Sequence, residues 1–412
     1  MPQARGTDAS LTMYEETAYG QDPAAPSGTK LRFHSVGVKG SQNTVEDPTL
    51  SSDREQSKPV LGNQDAAGSI PLSLSAEQDP KLLKHTLGTY STFRPVGVQP
   101  VNVTGVVIKN ANVTCDIGLG VLAFTLTGTL LSWQANGDTV GVTVDVSAGG
   151  DFTLPSGTAD KDLYVTVTAG NLPGGNVSDA DIDVVNAYEH IIQRGDLPIG
   201  ITFDKDFGSN ITGVGRVEKI NGNRVGSCGI ELAQEGVIVS TYEFKGAKSV
   251  GTDAVLDATP DDLGHVSFGG ADLTVKIDGI PSVITKSASL NISNELDEDG
   301  FVVGSNARKS LPEGSVKVDG NISALFESNV FLDKAEKQTE TTLDFEVSRG
   351  DGFGTQGNEY INFGVQQCVF AKDVPEISGP GGVVIESKFT GYRGTNNEPS
   401  LIVKVRNQQA TL

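Results

Sequence analysis

The chain has 412 residues and a formal net charge of −21 at neutral pH, room for two or three domains that each bury a core. That acidity argues against gripping nucleic acid by phosphate neutralisation, which needs a basic footprint, and Cys115, Cys228 and Cys368 have neither zinc-ribbon nor disulfide-framework spacing. Residues 1–30 lack an apolar signal core and no later run reaches membrane-spanning length, so a soluble chain with reduced thiols, made in a cytoplasm, is expected. The 50 glycines and the alternation of Val, Ile, Thr and Ser with polar residues predict an all-β protein, mainly β with short helices.

Taken in order, residues 1–29 read as an N-terminal arm. Residues 68–74 (GSIPLSL) alternate as a strand. Residues 79–88 (DPKLLKHTLG) read as a short helix, with Asp79 at the N-cap, Pro80 at the first helical position and Gly88 just past the end. Residues 100–190 are β-rich by pattern. Segments 121–133, 139–146 and 163–168 alternate, separated by Asn136-Gly137-Asp138, Gly149-Gly150-Asp151 and residues 171–175, the turn chemistry of a small sandwich or barrel. Residues 199–204 (IGITFD) and 237–244 (VIVSTYEF) are further strands.

The same plan then recurs. Residues 314–323 (GSVKVDGNIS) alternate as 68–74 do, and 329–337 (NVFLDKAEK) read as a second short helix with Asn329 at its N-cap. Residues 342–348 (TLDFEVS) match 199–204, and 383–389 (VVIESKF) match 237–244. The duplication predicts two similar units, residues 30–99 with 191–250 and residues 251–412, the first interrupted by an exterior insertion at 100–190.

The strand faces carry the next step. Residues 282–293 put Ile284, Ala288, Leu290 and Ile292 on one side and Thr285, Ser287, Ser289 and Asn291 on the other; Val316, Val318 and Ile322 oppose Lys317, Asp319 and Asn321. One face is core and the other wet. The wet face is either the outside of an ordinary sandwich or the lining of a water-filled lumen in a larger closed sheet, and periodicity leaves both open.

Residues 13–20 (MYEETAYG) with Pro23, 51–55 (SSDRE) through 60–62 (VLG) to 68–70 (GSI), 81–88 (KLLKHTLG), 215–221 (GRVEKIN), 235–246 (EGVIVSTYEFKG) and 287–294 (SASLNISN) complete a pattern of ordered segments. In order and spacing it resembles the tail tube, or major tail, proteins of long-tailed bacteriophages, over nearly the whole chain apart from 100–190. The resemblance implies a duplicated tail-tube β-sandwich domain with a flanking helix, whose strands join those of neighbours into a closed inner β-barrel, plus an inserted small β domain. It implies a structural virion protein, the major tail tube subunit, assembled in the host cytoplasm. Two tube domains per chain would give trimeric, pseudo-hexameric rings stacked into a hollow tube, with a true hexamer as the alternative. A negatively charged lumen would conduct phage DNA without binding it specifically. The further implied partners are the tape measure protein and the tail terminator and distal tail proteins; no membrane is implied.

On alternation, Asp319, Asp344, Glu346 and Glu231 are the lumen candidates. Segments 43–67 and 294–313 are long, polar and charged, and loops of that length are functional or disordered. They are the inter-ring candidates, through Asp53, Arg54 and Glu55 in one and Asp297, Asp299, Arg308 and Lys309 in the other. The arm at 1–29 is a second candidate, ordered only when a neighbour holds it.

Chemical alternatives are thin. Glu295, Asp297, Asp299 and Gly300 resemble part of a calcium loop, but Glu stands first and Asn306 occupies the twelfth position. His34, His85, His190 and His265 are isolated and read as structural. Gly213-Val214-Gly215-Arg216 lacks the remaining glycine of a dinucleotide loop, and no Walker-type lysine follows a strand. Asp344 and Glu346 could flank a sugar, yet the chain has a single Trp133 for a stacking platform. No enzyme activity, cofactor or metal is expected. The rival readings are an extracellular multi-domain β adhesin and a distal tail or baseplate ring protein that does not stack.

Overall fold

The computed structural model describes residues 3–48, 55, 57–93, 188–327, 329–352, 354–377, 382–409 and 411–412, together with the backbone of the strands within 107–183. In chain order the elements are β1 (Ser10–Glu15), β2 (Thr29–Leu31), β3 (Lys39–Val45), β4 (Val60–Ser73), α1 (Asp79–Leu87) and β5 (Gly88–Phe93). Next come β6 (Val107–Gly118), β7 (Val121–Ser132), β8 (Val144–Asp145), β9 (Gly150–Thr153), β10 (Tyr164–Val167), β11 (Val177–Asp179), β12 (Ile182–Asp183) and β13 (Tyr188–Arg194). Then follow β14 (Ile201–Asp206), β15 (Val217–Ala233), β16 (Val239–Gly246) and β17 (Lys248–Thr252). The chain ends with β18 (Leu273–Ile277), β19 (Ile280–Pro281), β20 (Thr285–Ser293), β21 (Lys317–Leu325), α2 (Val330–Glu336), β22 (Thr341–Ser348), β23 (Tyr360–Phe370), β24 (Val384–Gly391) and β25 (Leu401–Asn407).

The chain divides into two compact units, one of Met1–Tyr90, Ile192–Val347 and Phe363–Val403, the other of Ser91–Ile191, Ser348–Asn362 and Lys404–Leu412. In the second, β6 and β7 form an antiparallel hairpin flanked by β11 and β8, and β10 lies between β9 and β12. Asn136-Gly137-Asp138 and residues 171–175, expected as turns, lie outside the described residues. Gly150 and Asp151, also expected in a turn, instead open β9, where they pair with β10. Buried His190 contacts Thr92 at 2.9 Å, Asn407 at 3.1 Å and the Gln409 carbonyl at 2.9 Å.

The first unit contains one antiparallel ladder built twice. In the first copy β1 pairs with β2 and β14, β14 with β15, β15 with β16 and β17, β16 with β4, and β4 with β3. In the second, β18 pairs with β19 and β22, β23 with β24 and β25, β24 with β21, and β21 with β20. The registers superpose residue by residue: Gly68 stands opposite Phe244 as Gly320 stands opposite Phe389. Both glycines are needed for close approach. A Cβ on Gly68 would lie 2.2 Å from the Gly37 carbonyl oxygen, and one on Gly320 2.0 Å from that of Ser289. Each copy also packs an aromatic pair at the matching positions, Phe203 edge-to-face with Phe244 at 4.9 Å between centroids and Phe345 tilted against Phe389 at 5.9 Å, a contact worth about 1 kcal/mol beyond the area it buries.

β15 joins the copies. Its first half pairs with β14 and β17, its second with β16 and with β20 of the other copy. It changes neighbours at Asn221-Gly222-Asn223. Buried Asn223 donates its amide to the carbonyls of Ile201 at 2.9 Å and Ile220 at 2.7 Å, satisfying acceptors beside the register shift in the β14–β15 ladder. Gly222, at φ +70, would drive a Cβ to 2.7 Å from that of Ala247.

Three readings from sequence are corrected. Residues 10–15 are not a free arm: Leu11 and Met13 are buried in β1, and Glu16 accepts hydrogen bonds from Gly20 N, Gly222 N and Thr202 Oγ1, each at 2.7 Å. Segment 43–67 is not loop throughout: its first three residues end β3 at Val45 and its last eight open β4 at Val60, which leaves 46–59 between the two strands. Asp79 does not cap its own helix. Gln78 is the N-cap, and the Asp79 carboxylate turns inward to accept Ser240 Oγ at 2.5 Å, Tyr242 Oη at 2.9 Å and Ser75 N at 2.8 Å, tying α1 to β16.

Burial pushes the Asp79 carboxyl up to about 6, against those hydrogen bonds. The folded chain therefore keeps this proton to higher pH than the unfolded chain, which releases it near 3.8. The contribution is fully present below the unfolded value and is lost as pH rises through the folded one, about 3 kcal/mol in all. Urea midpoints measured from pH 3.5 to 7 should fall in the wild type relative to those of Asp79→Asn, the difference isolating this carboxyl from others, Glu15 among them, whose lowered proton affinity works in the opposite direction. Asp79→Ala, which strands three buried donors, should lower the unfolding free energy by about 3 kcal/mol or more.

Candidate functional site

The ladders run β3–β4–β16–β15–β20–β21–β24–β23, and this sheet has one dry face and one wet one. On the dry face lie Ile70, Leu72, Tyr242, Phe244, Cys228, Ile230, Leu290, Ile292, Val318, Ile322, Ile385 and Phe389, all buried. The alternate residues form the candidate surface: Ser227, Gly229 and Glu231 on β15; Ser287, Ser289, Asn291 and Ser293 on β20; Lys317, Asp319, Asn321 and Ser323 on β21; Glu386, Lys388 and Thr390 on β24. Registry aligns them in rows, Gly229 against Asn291 against Asp319 against Thr390, and Glu231 against Ser289 against Asn321 against Lys388. Hydroxyls and amides dominate. Glu231, Glu243, Asp319 and Glu386 are among the carboxylates on this face; Lys317 is ion-paired with Glu295, Lys245 with Glu298 at 3.0 Å, and Lys388 stands exposed opposite Asn321. No arginine stands on β4, β15, β16, β20, β21 or β24 except Arg224, at the turn of β15 outside the β20 ladder.

Of the four lumen candidates, the structure brings Asp319 and Glu231 onto this one face. Asp344 and Glu346 lie elsewhere, on β22, which pairs with β18, and Glu346 is engaged by Lys276. Alternation identified a wet side of each strand, but which strands share a ladder is a tertiary fact. Glu243, on the same face, donates no periodic signal that distinguishes it from any other exposed carboxylate.

The two loop candidates differ. Asp53 and Arg54 lie outside the described residues; Glu55 is exposed. At the base of that loop Val45, Val60 and Leu61 are 57%, 63% and 68% exposed. The second loop, between β20 and β21, folds back over the first copy. Its Asn306 carbonyl accepts from Gln64 N at 2.7 Å. Arg308 is buried; it donates to Asp65 Oδ1 at 2.5 Å, to the Gly246 carbonyl at 2.9 Å and to the Glu298 carbonyl at 2.9 Å, and packs on the Phe301 ring at 5.0 Å. Arg308 is thus spent inside the chain, whereas Asp297, Asp299 and Lys309 are exposed, as are Val302 and Val303 at the loop tip.

The histidines make ordinary hydrogen bonds: His34 meets Ser73 Oγ at 2.8 Å and His265 meets Gln78 at 2.6 Å, while His85 lies 3.4 Å from Glu15. Among the described residues no group of three or more His, Cys, Asp or Glu side chains is arranged to hold a metal ion, and no helix is long and apolar enough to cross a membrane. Cys228 and Cys368 are buried free thiols.

The structure is thus a doubled antiparallel framework whose sheet has one buried face and one polar face of mixed charge. The family model for phage tail tube proteins matches residues 6–391, and the chain belongs to that family. It is accordingly a structural component of a phage tail. Comparison with curated proteins returns no match.

Arg308→Ala should release the second loop from β4 and Gly246. Trypsin or proteinase K should then cleave within 297–310 at much lower protease concentration than in the wild type, and the unfolding free energy should fall by about 1–3 kcal/mol. Unchanged cleavage would show that the loop is held by its backbone contacts alone.

Proposed function

We propose that this chain is the major tail tube subunit, that three copies close a pseudo-sixfold ring, and that stacked rings form the conduit through which phage DNA passes. The observation that carries this reading is the doubling of one four-strand set, β3–β4–β16–β15 and β20–β21–β24–β23, joined within the chain by the β15–β20 ladder. One chain then occupies two ring positions, and cyclic closure needs half as many chains as positions. The insertion falls between α1 and β14 of the first copy and has no counterpart between α2 and β22, so it decorates alternate positions. The exposed apolar residues at the two loops, Val45, Val60 and Leu61 in one and Val302 and Val303 in the other, suit contacts between successive rings, with Asp297, Asp299 and Lys309 beside them. Tape measure, terminator and distal tail proteins would meet the same ring surfaces, inside and at the two ends.

Averaged cross-sections of tubes by electron microscopy should show six similar inner lobes and three outer densities. Six outer densities would mean one ring position per chain and would overturn the trimer.

The wet face is the proposed lumen, lined mainly by Ser, Thr and Asn with Glu231 and Asp319 among its carboxylates. Such a lining presents no cationic cluster for phosphate to grip, so the polymer slides. Glu231→Lys with Asp319→Lys reverses two charges per chain without touching the core. Tubes should still assemble, should retain DNA in a salt-dependent manner, and should lose infectivity with particle number unchanged. Normal infectivity and no DNA retention would place this face outside the channel.

A further inference from the structure

Two pieces of the doubled framework lack the partner that their counterparts have. In the first copy, the second half of β15 is a strand because β16 holds one side and β20 the other, with Cys228 opposite Ile292, Gly229 opposite Asn291 and Ile230 opposite Leu290. The register of β24 on β21 makes residues 371–377 (AKDVPEI) the counterpart of that half-strand. They continue β23 past Phe370, whose partner is Phe389. Only the start is laddered, Ala371 N donating to the Lys388 carbonyl at 2.8 Å. Beyond it no strand is assigned and the chain runs exposed, with Val374 66% and Ile377 80% accessible.

The counterpart of β20 is β3 with the residues just before it: Val38 occupies the place of Leu290, and Gly40 that of Ile292. Leu290 and Ile292 are paired with β15. Val38 and Gly40 have, among the described residues, no strand on their outer side. Gly37 N donates inward to the Ser69 carbonyl at 2.8 Å, so by strand alternation the Val38 C=O and the Gly40 N–H point outward. Both are covered by an ion pair. Lys205 Nζ reaches the Val38 carbonyl at 3.1 Å, Glu218 Oε1 accepts from Gly40 N at 2.9 Å, and the two side chains meet at 2.5 Å. Counting from the equivalent Phe203 and Phe345, the counterpart of Lys205 in the second copy is Val347, fully buried. Charge therefore stands over the open edge and not over the edge already paired, which is how natural sheets guard an edge.

We infer that residues 371–377 of one chain and the outer edge of residues 36–41 of the next form the joint between copies of this protein, paired antiparallel in the register of the internal β15–β20 joint, with Lys205 and Glu218 covering that edge until the neighbour's strand displaces them. The pairing sets Lys39 opposite the Asp373-Val374 step, which adds charge complementarity, and turns 371–377 from exposed chain into strand. By the same alternation Pro375 falls at an inward-facing position, so its missing N–H is lost to the ladder with β24 and leaves the outward donors of the segment in place. The inference rests on the ring reading above and specifies which residues close the ring.

The test is cross-linking in assembled tubes. Lys39→Cys combined with Asp373→Cys or with Val374→Cys should give, on oxidation, a disulfide-linked closed trimer, absent from each single variant and from Lys39→Cys with Val303→Cys. Rings that form without cross-linking in either pair would reject this joint and leave the ring reading intact; a wild type that forms no ring would remove both. The cover is tested separately. Lys205→Ala with Glu218→Ala should retain the far-UV spectrum of the wild type and assemble at severalfold lower protein concentration, whereas an unchanged or higher threshold would show that the ion pair does not guard the edge.

Discussion

A β-sheet edge is a row of unmet hydrogen-bond donors and acceptors, and the structure is organised around where those edges go. Within the chain the strongest solution is the β15–β20 ladder, in which seven consecutive residue pairs from Ser227–Ser293 to Ala233–Ser287 are matched. Because the joined strands come from the two copies, this ladder turns what would be two open half-sheets into one continuous surface. Burial on its dry side, from Ile70 to Phe389, then supplies the apolar contacts that hold the registry, since a slip of one residue would send every core side chain to the wet face.

That continuity depends on β15 serving two sheets. Seventeen residues long, it changes partners where Gly222 allows a left-handed turn and Asn223 supplies the hydrogen bonds that the shifted register omits. The buried carboxylates belong to the same economy of backbone groups. Glu16 gathers the Gly20 and Gly222 amides with the Thr202 hydroxyl, and Asp79 gathers Ser75, Ser240 and Tyr242. Each is desolvated, with its proton affinity raised by burial, and each offsets that cost by satisfying several donors at once where elements meet.

On the wet side, the chemistry is defined by what short side chains do. Ser, Thr and Asn keep the surface hydrated and level; two of its lysines, Lys245 and Lys317, are bound to Glu298 and Glu295 from the neighbouring loop, and Lys388 stands exposed opposite Asn321.

The sequence by itself determined the local elements. Alternation located β14, β16, β20, β21, β22 and β24 to within a few residues, the Pro80 and Gly88 signals bounded α1, and the order of segments disclosed the duplication, because side-chain period and turn chemistry are properties of neighbouring residues. It misplaced β1 in an arm because four consecutive residues, Leu11, Thr12, Met13 and Tyr14, are buried and leave no alternation to read, and it took Asp79 for a helix cap because the partner hydroxyls, Ser240 and Tyr242, lie far along the chain. It could not separate Asp319 and Glu231 from Asp344 and Glu346: all four alternate, and only long-range ladders put the first two on one sheet face and the others on another. Arg308 likewise reads as loop charge in sequence, and only the packing of its loop on β4 makes it a buried anchor. Pairing between distant strands is a property of the folded whole, and no local pattern encodes it.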